Sequence, residues 1–173
     1  MANVTVVPYS PEWPSLFGKL REELLDAFAP ISVVVEHIGS TSVPGLAAKP
    51  VIDVLLGASS LTEIESKVLS LSNLGYSYIS KYEQELPTRR YFVKSPLASL
   101  RVHLHAVELT SRFWREHLAF RDALRANAAL RSEYEALKLR LASEYAHDKS
   151  AYTAAKGIFI QSALSPADAP DAG

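Results

Sequence analysis

Apolar positions in the first part of the chain follow two different spacings, which predict helices and strands in alternation. Within residues 13–28 the apolar side chains recur every three or four positions, which is typical of an amphipathic helix. Short apolar runs at residues 4–7, 32–38 and 51–56 predict strands. The run VIDVLL is apolar except at Asp53, so we expect this strand to lie inside a sheet with both faces covered.

The same two spacings divide the rest of the chain. A helix is predicted over residues 62–74, with Thr62 and Glu65 as a capping box, and strands over 76–80, 89–93 and 100–107. Beyond residue 110 only helical spacing is found, at 111–126, 130–145 and 150–163. We therefore predict an α/β (α+β) domain over 1–109 and a helical subdomain over 110–164. The tail SPADAPDAG, residues 165–173, is predicted to be disordered.

Composition excludes several classes of site. The chain has 173 residues, 48% hydrophobic and 21% charged, as in ordinary globular proteins. A net charge of −1 gives no strong signal for nucleic acid. The absence of cysteine excludes disulfides and thiolate chemistry. No signal peptide or membrane span is recognisable, so we expect a cytoplasmic protein without a membrane partner; the oligomeric state is left open.

The segment HIGSTSVPGLAAKPVID, residues 37–53, joins two predicted strands through a loop of small residues. Small residues let backbone amides approach a ligand closely, and a helical turn over residues 43–49 would attract anions at its N-terminus. The candidate ligand contacts in this loop are Gly39, Ser40, Thr41, Ser42 and Lys49.

Asp53 stands in an apolar strand, where an unpaired carboxylate is costly to bury, so it needs a partner, a metal or a place at a cleft. His103 and His105 are two residues apart and face the same side of a strand. With Asp53 they would form a two-histidine, one-carboxylate set suited to Zn²⁺, Mn²⁺ or Fe²⁺. Alternatively, Asp53 orients a histidine that acts as a general base, or the histidines are structural.

Basic and aromatic side chains suggest how a phosphate would be held. Lys49, Arg89 and Arg90 are candidates, although adjacent residues of a strand face opposite sides, so one of the two arginines is expected to reach the cleft. Two Tyr-x-x-x-Lys pairs place a phenol and an ammonium one helical turn apart. They either pack between helices or line the cleft, with tyrosine on a base and lysine on a phosphate. The pairs are Tyr134 with Lys138 and Tyr152 with Lys156.

Several segments resemble the GrpB family of small bacterial proteins, which has a nucleotidyltransferase-like fold. They are YSPEWP before the first helix, HIGSTSVPGLAAKPVID, RRYF, HLH and the two Tyr-Lys helices. The resemblance implies a mixed sheet flanked by helices, plus a C-terminal helical subdomain. Some relatives look like the extra domain of dephospho-coenzyme A kinases, which implies nucleotide or coenzyme A chemistry.

The nucleotidyltransferase resemblance implies a glycine-serine pair, two acids two residues apart on the next strand, and a third acid on a neighbouring strand. Gly39 and Ser40 match the pair and Asp53 matches one acid, but Val51 and Leu55 occupy the positions of its partner. Two-metal transfer with Mg²⁺ needs several carboxylate oxygens, so this departure weakens the case for it.

Three functions remain open. The first is a nucleotidyltransferase that binds a nucleotide or other phosphorylated small molecule in the cleft between the α/β and helical parts. The second is a non-catalytic or regulatory domain that binds a nucleotide or a coenzyme A-like ligand after losing the paired acid. The third is a structural or dimerisation module.

Overall fold

Five strands form one sheet in the computed structural model, which describes residues 5–97 and 99–164. The strands are β1 (Val34–Ile38), β2 (Val51–Ala58), β3 (Ser77–Tyr78), β4 (Arg89–Leu97) and β5 (Leu100–Glu108). Their order is β1-β2-β5-β4-β3; β2 and β5 are parallel and the other neighbours are antiparallel. The sheet is therefore mixed. As its apolar run predicted, β2 lies inside the sheet.

Six helices accompany the sheet in the described residues. They are α1 (Glu12–Phe28), α2 (Leu61–Glu65), α3 (Val68–Asn73), α4 (Arg112–Ala126), α5 (Ala128–Glu144) and α6 (Lys149–Ala163). The side chains of Ser111, Asn127 and Asp148 accept hydrogen bonds from backbone amides in the first turns of α4, α5 and α6. These caps satisfy amides that have no partner within the helix, which fixes where the three helices begin.

Strand alternation gives the sheet two different faces. Ile52, Val54 and Leu56 of β2 point into the main core, where they meet the buried face of α1 and of the short helices. Asp53 and Leu55 point to the opposite face, where Leu55 packs with side chains of β1, β5 and α4. The acid therefore lies on the face of the sheet that the C-terminal helices cover only in part.

The loop after β1 differs from the prediction. The helical turn expected over residues 43–49 is absent, and a short 3₁₀ turn, Ser40–Ser42, precedes it instead. Gly45, inside the expected turn, has a φ of 81°, which a right-handed helical turn does not accommodate. The loop instead packs through Val43 and Leu46 against α4 and α5.

Two other predicted elements also differ. The helix over residues 62–74 is split into α2 and α3, because Lys67 leaves the helical conformation. Its capping residues are Ser60 and Glu63 instead of Thr62 and Glu65: the Glu63 amide donates to Ser60 Oγ at 3.2 Å. Of the strand predicted at 4–7, the described residues 5–7 form one bridge, between Val7 and Ala48.

All the described strands end by Glu108 and the described chain beyond it is helical, as predicted, whereas the division into two domains stays a prediction. The predicted disordered tail, 165–173, lies outside the described residues. No helix in the described ranges is long and apolar enough to cross a membrane.

Candidate functional site

A chain of hydrogen bonds joins Asp53 to two of the predicted site residues. His105 Nε2 lies 3.1 Å from Asp53 Oδ1, and His105 Nδ1 lies 3.1 Å from Nη1 of Arg89. A guanidinium can only donate, so Nδ1 is the acceptor and the proton of the neutral ring is on Nε2, which donates to Asp53. Arg89 therefore fixes the tautomer that His105 presents to the acid.

His103 lies beside the same carboxylate without being bonded to it. It is opposite Asp53 in the parallel pairing of β2 and β5, and its Nδ1 is 3.7 Å from Asp53 Oδ1, beyond hydrogen-bond range. Burial lowers the pKa of His103 to about 4, outweighing the opposite effect of Asp53. At neutral pH the ring is uncharged.

Asp53 remains ionised in this environment. Burial raises the pKa of its carboxyl, but the hydrogen bond from His105, the electrostatic effect of the two histidine rings and the charge of Lys156 outweigh it, so the net shift is downward. Gly39 lies against this carboxylate: a Cβ built on Gly39 would be 2.5 Å from Asp53 Oδ2. The glycine thus brings the backbone of the loop into contact with the acid.

The hydroxyl groups after Gly39 are used mainly inside the loop. Thr41 Oγ1 donates to the carbonyl of Val51 at 2.9 Å and lies 3.0 Å from His37 Nε2, which must therefore donate to it. Ser42 Oγ donates to the carbonyl of Gly39 at 2.5 Å. The side chains of Thr41 and Ser42 are buried and hold the loop in shape, whereas Ser40 is half-buried.

Two side chains of helix α5 form hydrogen bonds with the backbone at the end of the loop. The Ala47 amide donates to Glu135 at 3.1 Å, and the ammonium of Lys138 donates to the Ala47 carbonyl. Lys138 is only 1% exposed, and burial, together with the charge of Lys156, lowers its pKa to about 7. Lys138 therefore supports the loop from within.

The tyrosines of the two Tyr-Lys pairs are buried. Tyr134 stacks on Phe159 with ring centroids 5.4 Å apart. The ammonium groups of Lys49 and Lys156 lie 4.7 Å and 5.1 Å from the centre of the Tyr152 ring. This is the interface-packing alternative of the sequence prediction, because the rings are covered by protein groups.

The two adjacent arginines of β4 have different surroundings, as strand alternation requires. Arg90 pairs with Glu65 at 2.9 Å and with Glu83 at 3.6 Å, away from the acid. Arg89 contacts His105, and its guanidinium lies 4.7 Å from the centre of the Tyr91 ring. The structure therefore selects Arg89 as the arginine that faces Asp53.

A cleft of about 660 Å³ opens on the sheet next to His103, and we call it the sheet cleft. The sequence prediction missed most of its residues. Tyr91 could have been found, because it is two residues from Arg89 and therefore lies on the same face of the predicted strand. The residues used below are Lys81, Tyr82, Tyr91, Arg101, His103 and Lys149.

Comparison with known proteins identifies the family of this chain. Residues 3–165 match the family described as GrpB protein. The chain belongs to the GrpB family. The glutamate-rich protein GrpB of Alkalihalophilus pseudofirmus is 35% identical over 166 residues, covering 94% of each chain. The crystal structure of GrpB from Enterococcus faecalis matches with a TM-score of 0.81 and 33% identity, over 92% of this chain and 97% of that one.

Two more distant matches concern the resemblances to dephospho-coenzyme A kinases and to nucleotidyltransferases. A dephospho-CoA kinase of Mycolicibacterium paratuberculosis is 28% identical over 184 residues, covering 94% of this chain and 45% of that protein. The Cid1 poly(U) polymerase matches with a TM-score of 0.61 and 14% identity, over 89% of this chain and 49% of that one. The second match shows the fold alone, and it confirms the predicted nucleotidyltransferase-like fold.

The donor atoms of this GrpB protein do not fit a pair of Mg²⁺ ions. Two-metal transfer needs several carboxylates facing one another. Leu55, two residues from Asp53 on the same face of β2, is fully buried, and the side chains that shift the pKa of Asp53 are His105, His103 and Lys156, none of them a carboxylate.

The hydrogen bonds of His105 also make the predicted metal site of Asp53, His103 and His105 less favourable. Both ring nitrogens of His105 are engaged in hydrogen bonds, so the ring could bind a metal only after losing one of them. No group of three His, Asp or Glu side chains in residues 5–97 and 99–164 has the arrangement of a metal site. Metal binding at Asp53 stays a prediction.

Proposed function

We propose that this GrpB protein binds a nucleotide or another phosphorylated small molecule beside Asp53, between the sheet and helices α5 and α6. The observation that carries the proposal is a concentration of positive charge at this place. Lys49 of the loop and Lys156 of α6 lie 4.7 Å and 5.1 Å from the centre of the same Tyr152 ring, and the charge of Lys149 also acts on Lys49. We call these three residues the lysine cluster: Lys49, Lys149 and Lys156.

The neighbouring lysines oppose the protonation of Lys49. Burial and the charges of Lys156 and Lys149 lower the pKa of Lys49 to about 8. Within residues 5–97 and 99–164, none of the three lysines forms an ion pair with an acidic side chain. Cations held together in this way destabilise the empty site, and a polyanion such as a triphosphate would relieve the repulsion.

Asp53 and the lysine cluster belong to one site. The charge of Lys156 lowers the pKa of Asp53, and the charge of Asp53 in turn raises that of Lys49. A ligand whose phosphates contact the lysines would thus have its reactive part near the acid. The fold, shared with nucleotidyltransferases, and the relative named dephospho-CoA kinase both support a nucleotide or a coenzyme A-like ligand.

The test is calorimetric titration of the full chain with the four ribonucleoside triphosphates, dephospho-coenzyme A and coenzyme A. We expect at least one of them to bind, and Lys49→Met to weaken its binding at least about tenfold, because a charge-assisted contact to phosphate is lost. Met retains the unbranched stem beside Tyr152, so the free energy of unfolding should change by less than about 1 kcal/mol.

The matched control is Lys19→Met, which removes an exposed lysine on α1, outside the lysine cluster. It should leave the affinity unchanged. The absence of binding by every ligand, or equal affinities for Lys49→Met and the unaltered chain, would overturn the proposal.

A non-catalytic binding role is the second candidate, and the lone carboxylate favours it. The assay that separates it from nucleotidyl transfer measures pyrophosphate release from a bound triphosphate with Mg²⁺, Mn²⁺ or Zn²⁺ over a panel of acceptors. Release that is lost in Asp53→Asn indicates transfer. Binding without release for any metal and acceptor indicates the non-catalytic role.

A further inference from the structure

The sheet cleft is separate from the loop and has a lining suited to another ligand. Its walls come from β3, β4, β5 and the 3₁₀ turn Ser80–Tyr82, with Lys149 from α6. Its volume of about 660 Å³ is within the range of small-molecule sites in proteins. The cleft is therefore large enough for a ligand of nucleotide size.

The charged lining groups all have one sign. Lys81, Arg101 and Lys149 border the cleft, and none of its described lining residues is acidic. Nor does any of these three side chains form an ion pair within the described part of the chain. Three cations without acidic partners around a concave surface favour an anionic ligand.

Two aromatic rings stand beside these cations. Tyr82 and Tyr91 meet edge to face, with centroids 6.0 Å apart, and Tyr82 remains 37% exposed. An exposed phenol ring next to positive charge suits a planar aromatic group that carries a phosphate, since the ring can stack while the cations bind the phosphate.

His103 connects the sheet cleft to the site around Asp53. It lines the cleft and lies 3.7 Å from the Asp53 carboxylate. Lys149 also belongs to both places, because it lines the cleft and its charge lowers the pKa of Lys49. A molecule in the cleft would therefore lie next to a ligand bound at the lysine cluster.

We infer that the sheet cleft is a second ligand site, which binds a phosphorylated aromatic small molecule of the nucleoside monophosphate class next to the first ligand. The identity of the first ligand rests on the proposed function, whereas the second site rests on the lining of the cleft. Tyr82 would stack on the aromatic group, and Lys81 and Arg101 would bind its phosphate.

The test is a nuclear magnetic resonance titration of the ¹⁵N-labelled full chain with adenosine and uridine 5′-monophosphates. We expect saturable shifts at the amides of Ser77, Ile79, Tyr82, Tyr91 and Val93, which line or border the cleft. Inorganic phosphate and the nucleosides alone should each bind at least about tenfold more weakly, because each offers only part of the contact.

Three variants assign the contacts. Lys81→Ala, Arg101→Ala and Tyr82→Leu should each weaken the monophosphate at least about tenfold. The replaced side chains are exposed, so the spectra should remain those of the folded protein. The control is Lys19→Ala on α1, outside both sites, which should leave monophosphate binding at the cleft unchanged.

The outcomes separate this inference from the proposed function. Shifts at the cleft in a protein that binds no triphosphate at the lysine cluster would support the second site and reject the proposed first one. The inference is overturned by an absence of shifts at the cleft, by unchanged affinity in all three variants, or by shifts that only single-stranded RNA produces.

Discussion

Gly39 and Asp53 lie so close together that the glycine leaves no room for a side chain. A Cβ at Gly39 would lie 2.5 Å from the carboxylate, and the residue has a φ of 73°, which side chains disfavour. Gly45 offers a matched comparison, because its φ is 81° but its Cβ would meet nothing within 4 Å.

We predict that Gly39→Ala destabilises the protein more than Gly45→Ala does. Both variants incur about 1–3 kcal/mol for placing a side chain at a positive φ, a region that at Gly39, where ψ is −177°, is essentially restricted to glycine. Gly39→Ala should cost roughly 1–3 kcal/mol more, because Asp53 has to move away from the new methyl group and from His105. Urea denaturation measures both, and equal losses would show that the contact with Asp53 has no energetic weight.

The sequence predicted some of these residue contacts and missed others. The period of two along a strand placed His103 and His105 on one face, and the structure brings both next to Asp53. The sequence could not show which of Arg89 and Arg90 faces Asp53. Adjacent residues of a strand point to opposite faces of the sheet, but the sequence does not show which face each one takes. The choice depends on which strand lies beside β4, and that is a long-range property of the sheet.

The loop after β1 and helix α5 are joined by hydrogen bonds at Ala47. Glu135 accepts from the Ala47 amide, and Lys138 donates to the Ala47 carbonyl from the same side of the helix. The amide and the carbonyl of Ala47 are thus both hydrogen-bonded to side chains of α5. The position of Lys49, two residues further on, follows from this attachment.

We predict that Glu135→Ala loosens the loop. It leaves a part-buried amide without its partner, at a cost of about 1–3 kcal/mol. Hydrogen exchange at Ala47 should accelerate accordingly. The control is Glu133→Ala, an exposed position on the same helix, which should change stability by less than about 0.5 kcal/mol. Similar exchange at Ala47 in both variants would contradict the attachment.

The periodicity of the sequence located the main strands and long helices, because burial of one face dominates those segments. It failed where the backbone conformation of single residues decides the structure. Gly45 prevents the helical turn expected over residues 43–49, and Lys67 interrupts the helix expected over residues 62–74. Neither effect changes the apolar pattern from which the prediction was made.

At the scale of the whole molecule, burial of histidines makes stability depend on pH. Burial lowers the pKa of His37 to about 4, with Arg125 and Arg121 acting in the same direction and Asp53 against it. The pKa of His103 is lowered to about 4 as well, chiefly by burial. Between pH 6.5 and about 4 the unfolded chain therefore binds more protons than the folded one.

We predict that the free energy of unfolding falls as pH decreases through this window. The loss between pH 7 and pH 5 should be about 2 kcal/mol for each of the two histidines. His37→Gln, which keeps a donor for Thr41 but does not titrate, should reduce the loss, whereas the exposed His147→Gln should not. Denaturant unfolding across pH measures this, and an unchanged pH dependence in His37→Gln would be the contrary result.

Only part of the two candidate sites could be predicted from the sequence. Asp53, Lys49 and the histidines follow from motifs and strand alternation. The sheet cleft does not, because Lys149 of α6 reaches residues of β4 and β5 that are more than forty positions earlier in the chain. Such a contact depends on how the helices pack on the sheet, which short-range patterns do not encode.

A crystal structure of the full chain with a non-hydrolysable nucleoside triphosphate and Mg²⁺ or Mn²⁺ at saturating concentration would show where the ligand binds. We predict phosphate oxygens about 3 Å from the ammonium groups of Lys49 and Lys156, next to Asp53. A triphosphate bound only elsewhere on the protein, or none bound at all, would contradict this prediction.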